Sequence, residues 1–179
     1  MSGAENTLAG AKSVRPSTDT LSAARSGDAH ALNAMFKQFV GDEETVLESY
    51  YLGKQGILGF GRQSFGCVTD RKLASISVGF FGHMEYRDGY IEEIETGAIF
   101  QPSLFWLYIL SFIVVVSTFG IGLLLLPLVT RGFYRFNKSG LVATFDVGIP
   151  AYVFANRNRL TLVNRLWRRV HAQRLALTG

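Results

Sequence analysis

Residues 104–130, LFWLYILSFIVVVSTFGIGLLLLPLVT, run for 27 positions without a charge. No other stretch constrains this chain as strongly. So much apolar surface has to be taken out of water by a bilayer, a core or a partner. As one helix it would be about 40 Å long, more than the ~30 Å hydrocarbon core of a membrane requires. As a core helix it would be unusual in a chain of 179 residues.

The residues on either side read as strands. Before the segment, TVLESYYL, RQSFGCVT and KLASISVGF are apolar, β-branched and alternating. In the last of these, Ala74, Ile76, Val78 and Phe80 face one way and Ser75, Ser77 and Gly79 the other. The glycine-rich GKQGILGFG links the first two. RDGY reads as an Asp-Gly hairpin turn between Tyr86 and Tyr90, and YIEEIE as a further short strand. After the segment, FYRFN, LVATFDV and AYVFAN read as strands. The chain closes with a helix over RNRLTLVNRLWRRVHAQRLA. Leu160, Val163, Leu166, Trp167 and Val170 form its apolar stripe, and Arg165, Arg168 and Arg169 lie opposite.

Ahead of the strands, residues 1–27 are rich in Ser, Ala, Gly and Thr, read as a disordered tail, and lack an apolar core of secretory-signal length. Residues 28–41 follow as an amphipathic helix. Asp28 is its N-cap, Leu32, Met35, Phe36 and Phe39 form its apolar face, and Gly41 is placed to end it.

Neither strand set makes a domain alone, because an isolated hairpin is marginal in water. The economical reading is one β-domain, residues 42–98 and 135–179, interrupted by an insertion over 99–134. Two membrane arrangements remain open. A single span would place the C-terminal side in the cytoplasm, since Arg131, Arg135 and Lys138 flank that end. It would also separate the two strand sets by a bilayer. A helical membrane hairpin, with arms 99–116 and 119–134 and a turn at Ser117–Gly122, lets the domain close. Trp106, Tyr108, Phe133 and Tyr134 would then share one interface as anchors. Pro127 inside the second arm shortens its reach, so neighbouring hairpins would have to cover the turn. That implies a homo-oligomer.

Val68-Thr69-Asp70-Arg71-Lys72-Leu73 resembles the hairpin between the second and third strands of the bacterial pleckstrin-homology-like (PH-like) domains. The strand count and the amphipathic helix after the last strand are similar too. The resemblance covers residues 44–176 apart from the insertion. It implies two packed antiparallel sheets, as a barrel or sandwich, with the helix plugging one open end. Relatives that grip inositol phosphates carry a basic cluster between their first two strands. Here that loop offers only Lys54 and Arg62, so phosphoinositide binding is not carried over.

Charge divides the chain. Nine Lys and Arg against thirteen Asp and Glu precede the apolar run, net −4; nine against Asp146 alone follow it, net +8. A basic half points to an anionic partner. Arg131, Arg135, Lys138, Arg165, Arg168 and Arg169 are candidates for lipid headgroup contact. Nucleic acid is disfavoured, because no recognised motif accompanies the arginines.

Catalytic signals are weak. His30, His83 and His171 fall in three elements without metal-ligand spacing. Cys67 sits on an apolar strand face, which suits a structural thiol. The residues after Gly53 do not continue as a phosphate loop. Neither a cofactor nor a metal site is expected. The expectation is a membrane-anchored, non-enzymatic adaptor or scaffold on the cytoplasmic face of the cell membrane. The alternatives are a single-pass receptor with an exported N-terminal half, or a small membrane enzyme using Glu92, Glu93 or Glu95.

Overall fold

A computed structural model describes residues 16–55, 61–79, 82–146 and 150–178; the side chains of residues 134–136 and 178 are not described. The glycine loop at 56–60, Phe80 and Gly148 therefore lie outside the described residues.

Two helices open the chain, α1 (Thr18–Ser26) and α2 (Ala29–Lys37). Strands β1 (Val46–Gln55), β2 (Arg62–Thr69), β3 (Lys72–Val78) and β4 (Met84–Tyr90) form an antiparallel meander in sequence order. Strands β5 (Ile94–Phe100), β6 (Ser139–Phe145) and β7 (Pro150–Ala155) form a second antiparallel sheet. Helices α3 (Phe105–Ser117) and α4 (Leu126–Phe136) lie between β5 and β6, and α5 (Leu160–Thr178) ends the chain. Residues that flank the apolar run thus pair directly, with Phe100 opposite Gly140 and Ile94 opposite Phe145. The insertion leaves the β-domain and returns to the same place.

Alternation in β2 and β3 splits the core in two. Val68 and Leu73, with Leu52, meet Leu141 and Val153 of the second sheet and Val163, Leu166 and Val170 of α5. Phe65, Cys67, Ala74, Ile76 and Val78 point the other way and meet Leu32, Met35 and Phe36 of α2. The four-stranded sheet is therefore covered on both faces, and Ser75 is buried as well.

The Thr69–Lys72 segment forms a tight turn. The Thr69 hydroxyl accepts hydrogen bonds from the backbone N–H groups of Lys72 (2.7 Å) and Arg71 (3.2 Å). Asp70 accepts from Thr45 N (3.0 Å). Lys72 bridges Glu44 and Asp88 at 3.2 and 3.3 Å, and its ammonium lies over the Tyr90 ring. Burial works against that charge, but the two carboxylates outweigh it and raise the Lys72 pKa.

The structure corrects several expectations. The helical membrane hairpin is absent, because among the described residues no helix is long and apolar enough to cross a membrane. The first arm shortens because Ile99 and Phe100 are committed to β5, and Gln101–Pro102 break the chain before α3 begins. The transmembrane reading falls with it. The strand expected over FYRFN is the end of α4 and the Asn137 that caps it. The Asp-Gly pair is no turn: Asp88 and Gly89 sit inside β4 opposite Ala74 and Leu73. Gly89 is needed there because a Cβ would overlap the ring of Phe145. The reversal falls instead at residues 91–93, where Ile94 N bonds Ile91 O. Within the stretch read as a disordered tail, α1 forms. Ser17 caps it by accepting from Thr20 N, and Ala24 is buried on the sheet.

Candidate functional site

The apolar run folds back on itself as a short helical pair. Its uncharged residues form α3, and the Ser103 hydroxyl accepts from Phe105 N at the start. Ser117 ends the helix by donating to Ile113 O. The Thr118 hydroxyl donates to Val114 O (2.6 Å) and accepts from Gly122 N (2.7 Å), so it satisfies groups on both sides of the reversal. Phe119 and Gly120 turn the chain in the left-handed region, at φ 51° and 90°. A single 3₁₀ stretch (Ile121–Leu125) leads into α4, where Pro127 occupies the first turn and so breaks no helical hydrogen bond. At the far end the Asn137 amide donates to Phe133 O (3.0 Å).

Among the described side chains of this pair, Leu107, Gly122 and Phe133 form a narrow buried seam. Ile109, Val114, Val115, Leu126 and Val129 are half-buried, and many of the other large apolar side chains face outward. Phe119 is 98% exposed, Leu124 82%, Ile121 and Leu128 69% each and Trp106 66%. Helices α3 and α4 are about 20 and 16 Å long, well short of a ~30 Å hydrocarbon core but comparable with one leaflet of it.

Charge is arranged around this feature. Gln55, at the end of β1, donates to the carbonyls of Ala155 (2.8 Å) and Ser139 (3.4 Å), so that end of the four-stranded sheet meets the root of the helical pair. Lys54, Arg62, Lys138, Arg157 and Arg159 lie at this end, with Arg62 paired to Glu85 at 3.1 Å, and Arg131 lies on α4 itself. Arg159 donates to Tyr51 O and stacks on its ring. The opposite end is acidic. Thr45 bonds Asp70 and Asp146 N bonds Glu93 O, which gathers Asp42, Glu43, Glu44, Asp70, Glu92, Glu93 and Asp146 there. Arg71 and Lys72 share that end, and Lys72 is taken up by Glu44 and Asp88.

Trp106 and Tyr108 are exposed on α3, whereas Phe133 turns inward. Of Tyr134 and Arg135 only the backbone is described, in α4. Arg131 and Lys138 are exposed, and the Lys138 ammonium sits 4.8 Å from the centre of the Phe154 ring. Phe154 stacks on Tyr152 and meets Phe100 edge-on, which makes an aromatic shelf on the outer face of the second sheet, next to the root. Arg165, Arg168 and Arg169 are exposed on α5, away from the root. That helix starts at the root with Leu160 and reaches the acidic end, where Gln173 donates to Asp70 O. Arg157, Arg159 and the shelf were not singled out from the sequence. Alternation in AYVFAN could have shown that Tyr152 and Phe154 share the outward face.

Elsewhere, Glu92, Glu93 and Glu95 are exposed at the end remote from the root. Cys67 is fully buried, and burial first and Glu44 second push its thiol up to about 12. Among the described residues no group of three His, Cys, Asp or Glu side chains is placed to hold a metal ion. Comparison with known proteins finds no matching family model, no matching curated protein and no matching solved structure.

Proposed function

We propose that this chain is a PH-like, non-enzymatic adaptor or scaffold held at the cytoplasmic face of the cell membrane, with its α3–α4 pair dipping into one leaflet. The observation that carries this reading is the coincidence of the exposed apolar pair with the basic end of a domain whose other end is acidic. Burying Phe119, Ile121, Leu123, Leu124 and Leu128 in hydrocarbon gains on the order of 10 kcal/mol before the costs of association. Each basic residue near an anionic surface adds only about 1 kcal/mol. The helical pair is thus the anchor, and the charges orient what hangs from it. The PH-like reading draws support from the four- and three-stranded antiparallel sheets and from the helix that packs against both after the last strand.

Binding of the full chain to phospholipid vesicles tests this. The wild type is expected to sediment with vesicles, and Phe119→Asp with Leu124→Asp to remain in solution while keeping its fold by circular dichroism. A Phe119→Cys variant reports depth, because Cys67 is buried and silent. Its thiol should be shielded from an impermeant reagent on either side of the bilayer. Labelling from the far side would mean that the pair crosses. Equal sedimentation of the wild type and the double variant would end the proposal. Concentration-dependent self-association without vesicle binding would assign the apolar surface to a second copy instead.

A further inference from the structure

A small pocket opens where the helical pair joins the domain. Gln101, Pro102 and Leu104 come from the β5–α3 connection, Ser139 from the start of β6, and Arg157 and Leu160 from the approach to α5. Its volume is about 70 Å³. Drug-sized ligands occupy about 300–1,000 Å³, so this pocket takes a single compact group. Its polar lining residues are an arginine, a serine and a glutamine, all of types that can donate hydrogen bonds, and among the described residues no acidic one lines it. Ser139 is buried. Pro102, Leu104 and Leu160 supply the remaining walls. The combination of a planar arginine fork, a hydroxyl and apolar walls suits a tetrahedral phosphate attached to something apolar.

Position adds to chemistry. Leu104 both lines the pocket and immediately precedes α3, so the pocket sits at the root of the apolar pair. With that pair immersed in one leaflet, the root lies at headgroup depth. We infer that the pocket binds the phosphate of a small-headgroup anionic phospholipid, with Arg157 as its principal contact. This rests on the membrane reading above. It adds a specific lipid site to what would otherwise be a general attraction between a basic surface and an anionic one.

The test uses the full chain and three vesicle types: neutral phosphatidylcholine, the same lipid with phosphatidic acid, and the same lipid with oleate at matched surface charge. Wild type should prefer phosphatidic acid over oleate by about tenfold, the scale of one charge-assisted hydrogen-bonded contact. Arg157→Gln should reduce that preference to within about twofold while still binding neutral vesicles, and Arg157→Lys should keep part of it, since the charge but not the fork survives. Ser139→Ala should weaken the preference without altering charge. Arg131→Gln should weaken binding to both anionic vesicles alike. If Arg157→Gln and Arg131→Gln behave identically, the effect is diffuse charge and the site is overturned. If inorganic phosphate binds in an Arg157-dependent manner while vesicles show no preference, the ligand is free phosphate and the lipid assignment is overturned. Loss of the preference with neutral binding intact speaks against the pocket alone. Failure of the wild type to bind even neutral vesicles speaks against the anchor and removes both readings.

Discussion

Two helical pairs are attached to the same β-domain, and they treat their apolar side chains in opposite ways. The α1–α2 pair sends Leu32, Met35 and Phe36 into the face formed by Phe65, Cys67 and Ile76, where Phe36 is fully buried. The α3–α4 pair is the more apolar of the two, yet it leaves Phe119 and Leu124 almost wholly in the open. The difference lies in where each pair is tethered. The α1–α2 pair precedes β1, whose sheet offers an apolar face beside it. The α3–α4 pair is tied at both ends to the margin of the second sheet, between Phe100 and Ser139, and projects from it. Its apolar surface is thus left exposed, whereas that of α2 completes the fold.

The sharpest way to break this comparison is to truncate one phenylalanine from each pair. Phe36→Ala should cost about 3–5 kcal/mol of folding stability, as a large side chain lost from a closed core does. Phe119→Ala should change stability by less than about 0.5 kcal/mol, as at an exposed position without special contacts. Denaturant unfolding of the two variants measures both. A comparable loss at Phe119 would mean that the tip packs against the domain and is not a free surface.

How far the sequence foretells this contrast depends on the element. Alternation in KLASISVGF and the heptad-like spacing in RLTLVNRLWRRV were legible, because a buried face leaves a periodic trace. Asp28 as a cap was legible too: its carboxylate accepts from His30 N at 2.8 Å and Ala31 N at 3.1 Å. Asp88-Gly89 misled because local turn chemistry was overridden by packing. Phe145 requires the missing side chain at 89, and Lys72 holds the carboxylate at 88. The apolar run misled because it forms the end of a strand and two short helices, and among the described residues no helix is long and apolar enough to cross a membrane. Hydropathy is blind to a strand followed by a helix when both are uncharged, so 99–100 was indistinguishable from the helix after it. The reversal at Ser117–Gly122 was legible from its glycines and hydroxyls. The charge segregation was legible only as a difference between halves of the chain. That Lys54 and Arg62 join Arg157 at one end follows from pairing, which no linear reading supplies.

The interior beneath α2 also makes the fold sensitive to alkali. Burial pushes the Cys67 thiol up to about 12 from its ordinary 9.0. Tyr86, whose hydroxyl is buried, is raised as well, by burial first and by Asp88 second. Both groups are neutral when protonated. Their contribution is complete below the unfolded pKa and is lost as pH rises toward the folded one, because the unfolded chain releases the proton first. Stability should therefore fall from about pH 9 upward for Cys67 and from about pH 10 upward for Tyr86, by roughly 1.4 kcal/mol per pH unit for each group. Cys67→Ala should remove one proton's worth of that slope between pH 9 and 11, measured by urea unfolding at several pH values. An unchanged slope would show that the thiol is reached by solvent in the native state and that α1–α2 opens readily.

A smaller effect on stability sharpens the other side of the comparison. Replacing residues 103–130 with a short Gly-Ser linker should leave the β-domain folded, within about 1 kcal/mol of the full chain, since loop closure depends only weakly on length. Phe100 and Gly140 are already paired across the gap. Vesicle binding should be lost at the same time. A linker variant that unfolds while Phe119→Ala does not would place the buried seam of α3–α4, Leu107 and Phe133, among the supports of the domain.

The smallest expected effect concerns the arginines of α5. Arg165 and Arg169 lie about 8 and 14 Å along the helix from Leu160 at the root. The Debye length at physiological salt is about 8 Å, so their pull on a surface at the root is largely screened. Arg131 and Lys138 are fixed to the root by the chain. Reversing Arg165, Arg168 and Arg169 to Glu should therefore weaken vesicle binding less than reversing Arg131 and Lys138, despite the larger change in charge. Both effects should stay near or below about 1 kcal/mol per residue and shrink as salt is raised. Sedimentation at low and high salt separates the cases. If the α5 variant alone leaves the vesicles, and does so at both salt concentrations, the membrane contacts the domain through α5. The exposed side chains of α3–α4 would then have to be covered by some other partner.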